Sequence, residues 1–244
     1  ALQRAAAAGL LAGLVSAAGI LEPAGLADTS QESWQRHLAV NTTAATLLGF
    51  TESRNGSNTH VYQGFYGSSF TQLMSAGLNA QEGPAIATTQ GIFGLAWADW
   101  RGDDAGFDVM FQRISSDGGL LDPSPIAVEK APGDQRQVAI TASTAGNFLV
   151  GWVDRSTGFV MGKRITAAGT VLDGTSVQLA RQNVALLPRG LAFDGTNYVV
   201  LHSHPVPAFK RVNWQPRVSR VNQAGVSLDD GGVTLPPALS VGQT

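Results

Sequence analysis

The chain reads as all-β: a β-propeller of about four four-stranded blades, preceded by an apolar N-terminal helix, and three observations carry that expectation. The first is a repeated string. Arg113-Ile-Ser-Ser-Asp-Gly-Gly-Leu-Leu-Asp122, Arg164-Ile-Thr-Ala-Ala-Gly-Thr-Val-Leu-Asp173 and Arg220-Val-Asn-Gln-Ala-Gly-Val-Ser-Leu-Asp229 align without a gap. Each has a Gly five, a Leu eight and an Asp nine residues after the Arg, and the Arg positions are 51 and 56 residues apart. That is the period of a propeller blade rather than of a helical solenoid. The second is an element ahead of it: Phe93-Gly-Leu-Ala-Trp97-Ala-Asp99, Phe148-Leu-Val-Gly-Trp152-Val-Asp154 and Tyr198-Val-Val-Leu-His202-Ser-His204, with a fainter copy at Thr46-Leu-Leu-Gly-Phe50-Thr-Glu52. The third is composition, with 29 Gly, 43% apolar and only 14% charged residues among 244, as short strands joined by tight turns require.

Within each unit the elements follow in order. Small first strands are expected at His37–Asn41, Pro84–Thr88, Gln137–Thr141 and Arg189–Phe193. The Trp-bearing runs, apolar on both faces, are second strands buried from both sides, as blades packed between neighbours demand. Asp194-Gly195 supplies the positive φ of a tight hairpin between the last pair. Third strands are expected at Asn58–Tyr66, Phe107–Ser115, Phe159–Thr166 and Trp214–Asn222, with weaker fourth strands near Thr71–Leu78, Ile126–Val128, Val177–Ala180 and Val233–Leu235. The units run over about 37–83, 84–136, 137–188 and 189–244, after a linker at 28–36.

The pattern Ala-Phe-Asp-Gly-Thr-Asn-Tyr, Trp-x-Asp and Arg-x4-Gly-x2-Leu-Asp, clearest at Ala192–Tyr198 and Trp152-Val-Asp154, resembles the propeller-type repeats of secreted bacterial proteins. The resemblance spans about 200 residues and implies an exported protein, periplasmic, cell-surface or extracellular, whose kin are largely uncharacterised. The fourth unit departs from it with His202-Ser-His204, and the first with Phe50-Thr-Glu52. A bare arc of four blades leaves two strand edges open. The ring is therefore expected to close, as in hemopexin-like propellers, to pair with another copy, or to continue.

Residues 1–27 form an Ala/Gly/Leu-rich segment whose stretch 5–21 carries no charge. It reads as an export signal or anchor, or as an assembly helix whose Gly9, Gly13 and Ala17 allow close approach to a membrane or neighbouring-subunit partner. A homo-oligomer is among the arrangements this permits. With no Cys there are no disulfides, thiolate metal sites or Cys nucleophiles. The net charge of -2 leaves no basic excess for nucleic acid. Asn41-Thr-Thr43 and Asn55-Gly-Ser57 match the glycosylation acceptor pattern, which matters only in a eukaryotic secretory route.

Repeated residues argue for structure rather than catalysis, because a catalytic residue occurs once per site. The repeated Gly118, Gly169 and Gly225 fit turns, and Leu121, Leu172 and Leu228 are expected to pack between blades. The repeated Arg113, Arg164 and Arg220, with Asp99 and Asp154, suggest a structural inter-strand pair, and Trp97 and Trp152 belong to the core.

Non-repeated residues supply the site candidates. The Pro-interrupted, basic and aromatic segment 205–217 is the expected binding loop, through Phe209, Lys210, Arg211, Trp214 and Arg217. No cofactor is implied, beyond a Ca2+ site that Asp99, Asp103, Asp104 and Asp108 could form without the Asp-x-Asp-x-Asp-Gly spacing. His202 and His204 share one strand face, as a Zn2+ pair would, with no third ligand in view. Arg101-Gly-Asp103 is a chance-level match to the integrin tripeptide.

No catalytic signature stands out. The leading expectation is a non-catalytic exported or cell-surface module that binds or assembles with a protein or glycan. One alternative is a structural subunit of a filament or membrane complex, held by the N-terminal helix. The other is a propeller-type glycan hydrolase or lyase, which needs two inward carboxylates drawn from Glu52, Glu82, Asp99 and Asp154. The sialidase turn Ser-x-Asp-x-Gly-x-x-Trp is not met by Ser115-Ser-Asp117-Gly-Gly.

Overall fold

The computed structural model describes residues 39–40, 47–52, 59–65, 72–73, 80–100, 106–180, 185–208, 211–229 and 231–235. Residues 1–38, and with them the expected apolar helix, lie outside the described residues. Among the described residues sixteen strands group into four sheets of four, each built from consecutive strands in antiparallel order. The first blade holds β1 (Ala39–Val40), β2 (Leu47–Glu52), β3 (His60–Phe65) and β4 (Gln72–Leu73). The second holds β5 (Gln81–Thr89), β6 (Ile92–Trp100), β7 (Phe107–Ile114) and β8 (Ile126–Glu129). The third holds β9 (Gln135–Ala142), β10 (Asn147–Asp154), β11 (Phe159–Thr166) and β12 (Val177–Ala180). The fourth holds β13 (Ala185–Phe193), β14 (Asn197–Ala208), β15 (Arg211–Asn222) and β16 (Val233–Thr234).

The fold is a propeller. Successive blades pack through their first strands, β5 on β9 and β9 on β13, with β1 and β2 against β5. Among the described residues no comparable packing joins the fourth blade to the first. Alternation along the second strands explains the stacking, since successive side chains leave opposite faces of a sheet. Phe93, Leu95 and Trp97 enter the cluster shared with Leu47 and Val61 of blade one. Their neighbours Ala96 and Ala98 enter the cluster shared with Ile140, Phe148 and Trp152 of blade three. Gly94 is small because Phe148 closes on it: an added Cβ would lie 2.8 Å from that ring. Leu149, Val153, Leu191, Tyr198 and Val200 fill the next junction.

The three repeated strings form one device. Arg113 Nε and Asp122 Oδ1 lie 2.9 Å apart, and the Asp122 carboxylate also accepts the Arg113 backbone N–H. Arg164 with Asp173 and Arg220 with Asp229 repeat this pairing. The Arg therefore pairs with the Asp of its own string and not with Asp99 or Asp154, because the third strand and the turn after it bring positions nine apart together. The repeated Gly118, Gly169 and Gly225 adopt φ of 94, 87 and 84°, open only to Gly without strain. The repeated Leu does not pack between blades: Leu121, Leu172 and Leu228 are 42, 42 and 46% exposed, since they sit on the outward side of that turn.

The first strands begin earlier than their apolar patterns, at Gln81 and Gln135, because a bulge in each carries the pairing past the apolar run. In β9 the bulge holds Gln137 at φ 56°, a left-handed conformation that costs a non-Gly residue about 1 kcal/mol or more.

Candidate active site at the inner strands

Successive blades pack through their first strands, and charged residues stand at or just before the starts of β5 and β9. Glu82 of β5 and Arg136 of β9 stand at the same repeat position in neighbouring blades: Glu82 pairs in register with Ala98, and Arg136 with Val153. Arg136 Nη1 lies 3.4 Å from Glu82 Oε1, and its Nε lies 3.2 Å from Asp134 Oδ2. The second contact is an ion pair whose geometry is not that of a hydrogen bond. The guanidinium also lies over the Phe107 ring, 3.9 Å from its centroid, a cation–π contact that fixes the charge in place. The Phe107 amide donates to Asp134 Oδ1 at 3.2 Å, and Trp100 packs edge-on against Phe107. Glu82, Asp134 and Arg136 are all partly exposed. Gln137, strained and exposed, follows directly.

Two carboxylates on one guanidinium are held close. The two contact distances and the width of the guanidinium cap their separation at about 9 Å, short of the upper limit of about 10 Å for carboxylate pairs that act on glycosidic bonds. Such a pair can supply a proton donor and a nucleophile or base, with a cation between them to balance charge.

The other acids sit elsewhere. Asp99 is buried, and its Oδ2 accepts from Gln81 Nε2 and Trp97 Nε1, both at 3.1 Å. Gln81 Oε1 in turn accepts the Val61 amide at 2.7 Å, so this chain of bonds ties blade two to blade one. Asp108 is buried opposite Asp99 in register. Asp154 folds into its own turn, where its Oδ1 accepts from the Ser156 amide and hydroxyl. Burial pushes the Asp154 carboxyl up, and these bonds outweigh it to leave it below the ordinary carboxylate range. Glu52 ends β2 opposite His60, while Asp103 and Asp104 lie outside the described residues. Among the described residues no three His, Cys, Asp or Glu side chains gather as a metal site would need.

His202 is fully buried where units two and three carry Trp, 3.0 Å from Ser219 Oγ through Nε2. Burial, then the charges of Arg217 and His204, lower its pKa from 6.5 to about 4. It serves the interior of blade four rather than an open face.

The expected binding loop is a continued hairpin, since β14 and β15 pair from Asn197–Asn222 through to Ala208–Arg211. Arg211 and Trp214 lie on its second strand, while Phe209 and Lys210 lie outside the described residues. Arg217 donates to the Gly231 carbonyl at 3.0 Å within its own blade. Of the acids weighed from sequence, only Glu82 enters the central cluster. Asp134 and Arg136 carry no signal in the repeat, because they stand at positions where it breaks.

No protein-family model matches the chain, and no curated protein does. Solved structures do. An endo-arabinase from Bacteroides thetaiotaomicron superposes with a TM-score of 0.54 at 12% identity, over 84% of this chain and 82% of that one. An exo-β-1,3-galactanase from Clostridium thermocellum gives 0.52 at 12% identity, over 86% of this chain and 50% of that one. A GH43 endo-arabinanase from Bacillus licheniformis gives 0.50 at 11% identity, over 87% and 83%. At these identities the likeness shows the propeller fold. The leading expectation of a non-catalytic binding or assembly module is corrected by this comparison, since these three neighbours are glycan-cleaving enzymes by name.

Proposed function

We propose that this propeller hydrolyses a polymeric or oligomeric glycan at the cluster formed by Glu82, Asp134 and Arg136. The observation that carries the reading is two partly exposed carboxylates on one guanidinium, at the starts of adjacent first strands. One carboxyl protonates the leaving glycosidic oxygen while the other attacks the anomeric carbon or activates water. Arg136 holds both acids at a fixed separation and, stacked on Phe107, resists displacement by substrate. Arabinan and β-1,3-galactan, the glycans in the structural neighbours' names, are the first substrates to try. An exported location suits a substrate of that size.

The test measures reducing-sugar release from arabinan, β-1,3-galactan and matching chromogenic glycosides by the wild type, Glu82→Gln and Asp134→Asn. The expected result is release by the wild type and a loss of about 100-fold or more in kcat for each variant, with circular dichroism unchanged. Release that neither substitution slows would remove the site, and no release from the whole panel would remove the reading.

A further inference from the structure

The junctions between blades two, three and four share a lock. Arg113 Nη1 donates to the Ala167 carbonyl at 3.0 Å, and Arg164 Nη1 donates to the Gln223 carbonyl at 2.7 Å. Each acceptor stands three residues into the string of the following blade. The glycine two residues further on makes room: a Cβ on Gly169 would lie 2.8 Å from Arg113 Nε, and one on Gly225 2.9 Å from Arg164 Nε. The Arg of one blade thus seats on the glycine turn of the next. Blade one uses Gln63, whose Nε2 donates to the Gly118 carbonyl at 2.9 Å.

Blade four carries the same Arg–Asp pair, and among the described residues no neighbouring turn is hydrogen-bonded to it. The Arg220 side chain is 50% exposed, against 18% for Arg113 and 15% for Arg164. The fourth strand tells the same story. Val233 is 57% exposed, while Ile126 and Val177 at its position are partly covered, and Leu235 is half-covered where Val128 and Leu179 are buried. We propose that this face of blade four is a docking surface for one further blade-forming unit whose Gly-x-x-Leu-Asp turn is free to receive Arg220.

This chain cannot supply that unit in the same way. Gly-x-x-Leu-Asp occurs three times in the sequence, and the turns of blades two, three and four already receive Gln63, Arg113 and Arg164. A second copy has the same turns filled. Blade one carries no Gly-x-x-Leu-Asp string at all. The occupant is a unit of the same repeat chemistry, presenting a backbone carbonyl and a glycine two residues apart. This inference is independent of the hydrolytic reading.

The test compares the full chain with the same chain extended after Thr244 by a copy of its residues 135–180, and with an extended chain carrying Gly169→Val in the copy alone. Phenylglyoxal modification followed by mass spectrometry reads Arg220, with Arg164 as the internal reference. In the unextended chain Arg220 is expected to react about tenfold faster than Arg164, and the extension to bring it down to the Arg164 rate with a higher Tm. The Gly169→Val copy should leave Arg220 fast, and Arg220→Lys in the extended chain should erase the gain in Tm. Slow reaction of Arg220 in the dilute unextended chain, protection that grows with protein concentration, or an extension that leaves Arg220 fast would each overturn the proposal. The first two outcomes would assign the face to this chain's own residues or to a second copy.

Discussion

Blades three and four descend from one pattern and put it to different use. In blade three the second strand carries Trp152, buried among residues of blade two, and Arg164 is latched onto the next turn. In blade four the same strand position holds His202, and among the described residues Arg220 bonds to Asp229 of its own string alone. The difference lies in what stands beside each blade, not in the blades' own hydrogen-bond ladders. A repeat of this kind is stabilised at its junctions, so a residue's worth depends on whether its neighbour is present.

The most severe way to probe that contrast is to empty the position in the covered blade. Trp152→Ala removes a fully buried side chain and is expected to cost about 3–5 kcal/mol, read as loss of the cooperative transition in thermal or urea unfolding. A variant that unfolds like the wild type would mean the junction between blades two and three repacks freely.

Next comes the histidine that replaces Trp. Buried and held to a pKa of about 4 against 6.5 when unfolded, His202 disfavours its proton in the folded state. Above pH 6.5 both states are neutral there and nothing changes; as pH falls from about 6.5 to 4 the unfolded chain gains the proton first. Stability should drop over that window by about 3 kcal/mol. The groups whose charge bears on the ring are Arg217 and His204, with Ser219 bonded to Nε2. His202→Gln should flatten the dependence of Tm on pH, and an unchanged slope would assign it elsewhere.

Much of this architecture was legible in the sequence, because a repeat states its own strand order. The Trp-bearing second strands and the glycine turns were readable from spacing, and φ at Gly118, Gly169 and Gly225 agrees. The partner of the repeated Arg was misread: Asp99 and Asp154 recur as well, and only the turn geometry selects the Asp nine residues on. The outward Leu was misread because apolarity marks burial only when a neighbour is there to bury against. The central cluster was half visible. Glu82 was weighed as an acid, but its meeting with Arg136 comes from equivalent positions of opposite charge in adjacent blades, which shows only when the units are superposed as sheets.

The smallest effect is the most discriminating. Arg164→Ala deletes a paired guanidinium that joins Asp173 to the Gln223 carbonyl, and it strands a carboxylate that burial alone would push up. The expected cost is about 2 kcal/mol, as for other charge-assisted hydrogen bonds left half made. Arg220→Ala deletes the same side chain from the same string, yet solvent already surrounds it and water replaces what is lost. Urea midpoints of the two variants, measured side by side, should show a clear drop for Arg164→Ala and none for Arg220→Ala. Equal drops would mean that the Arg–Asp pair stabilises each blade by itself, and that the seat on the following turn adds nothing.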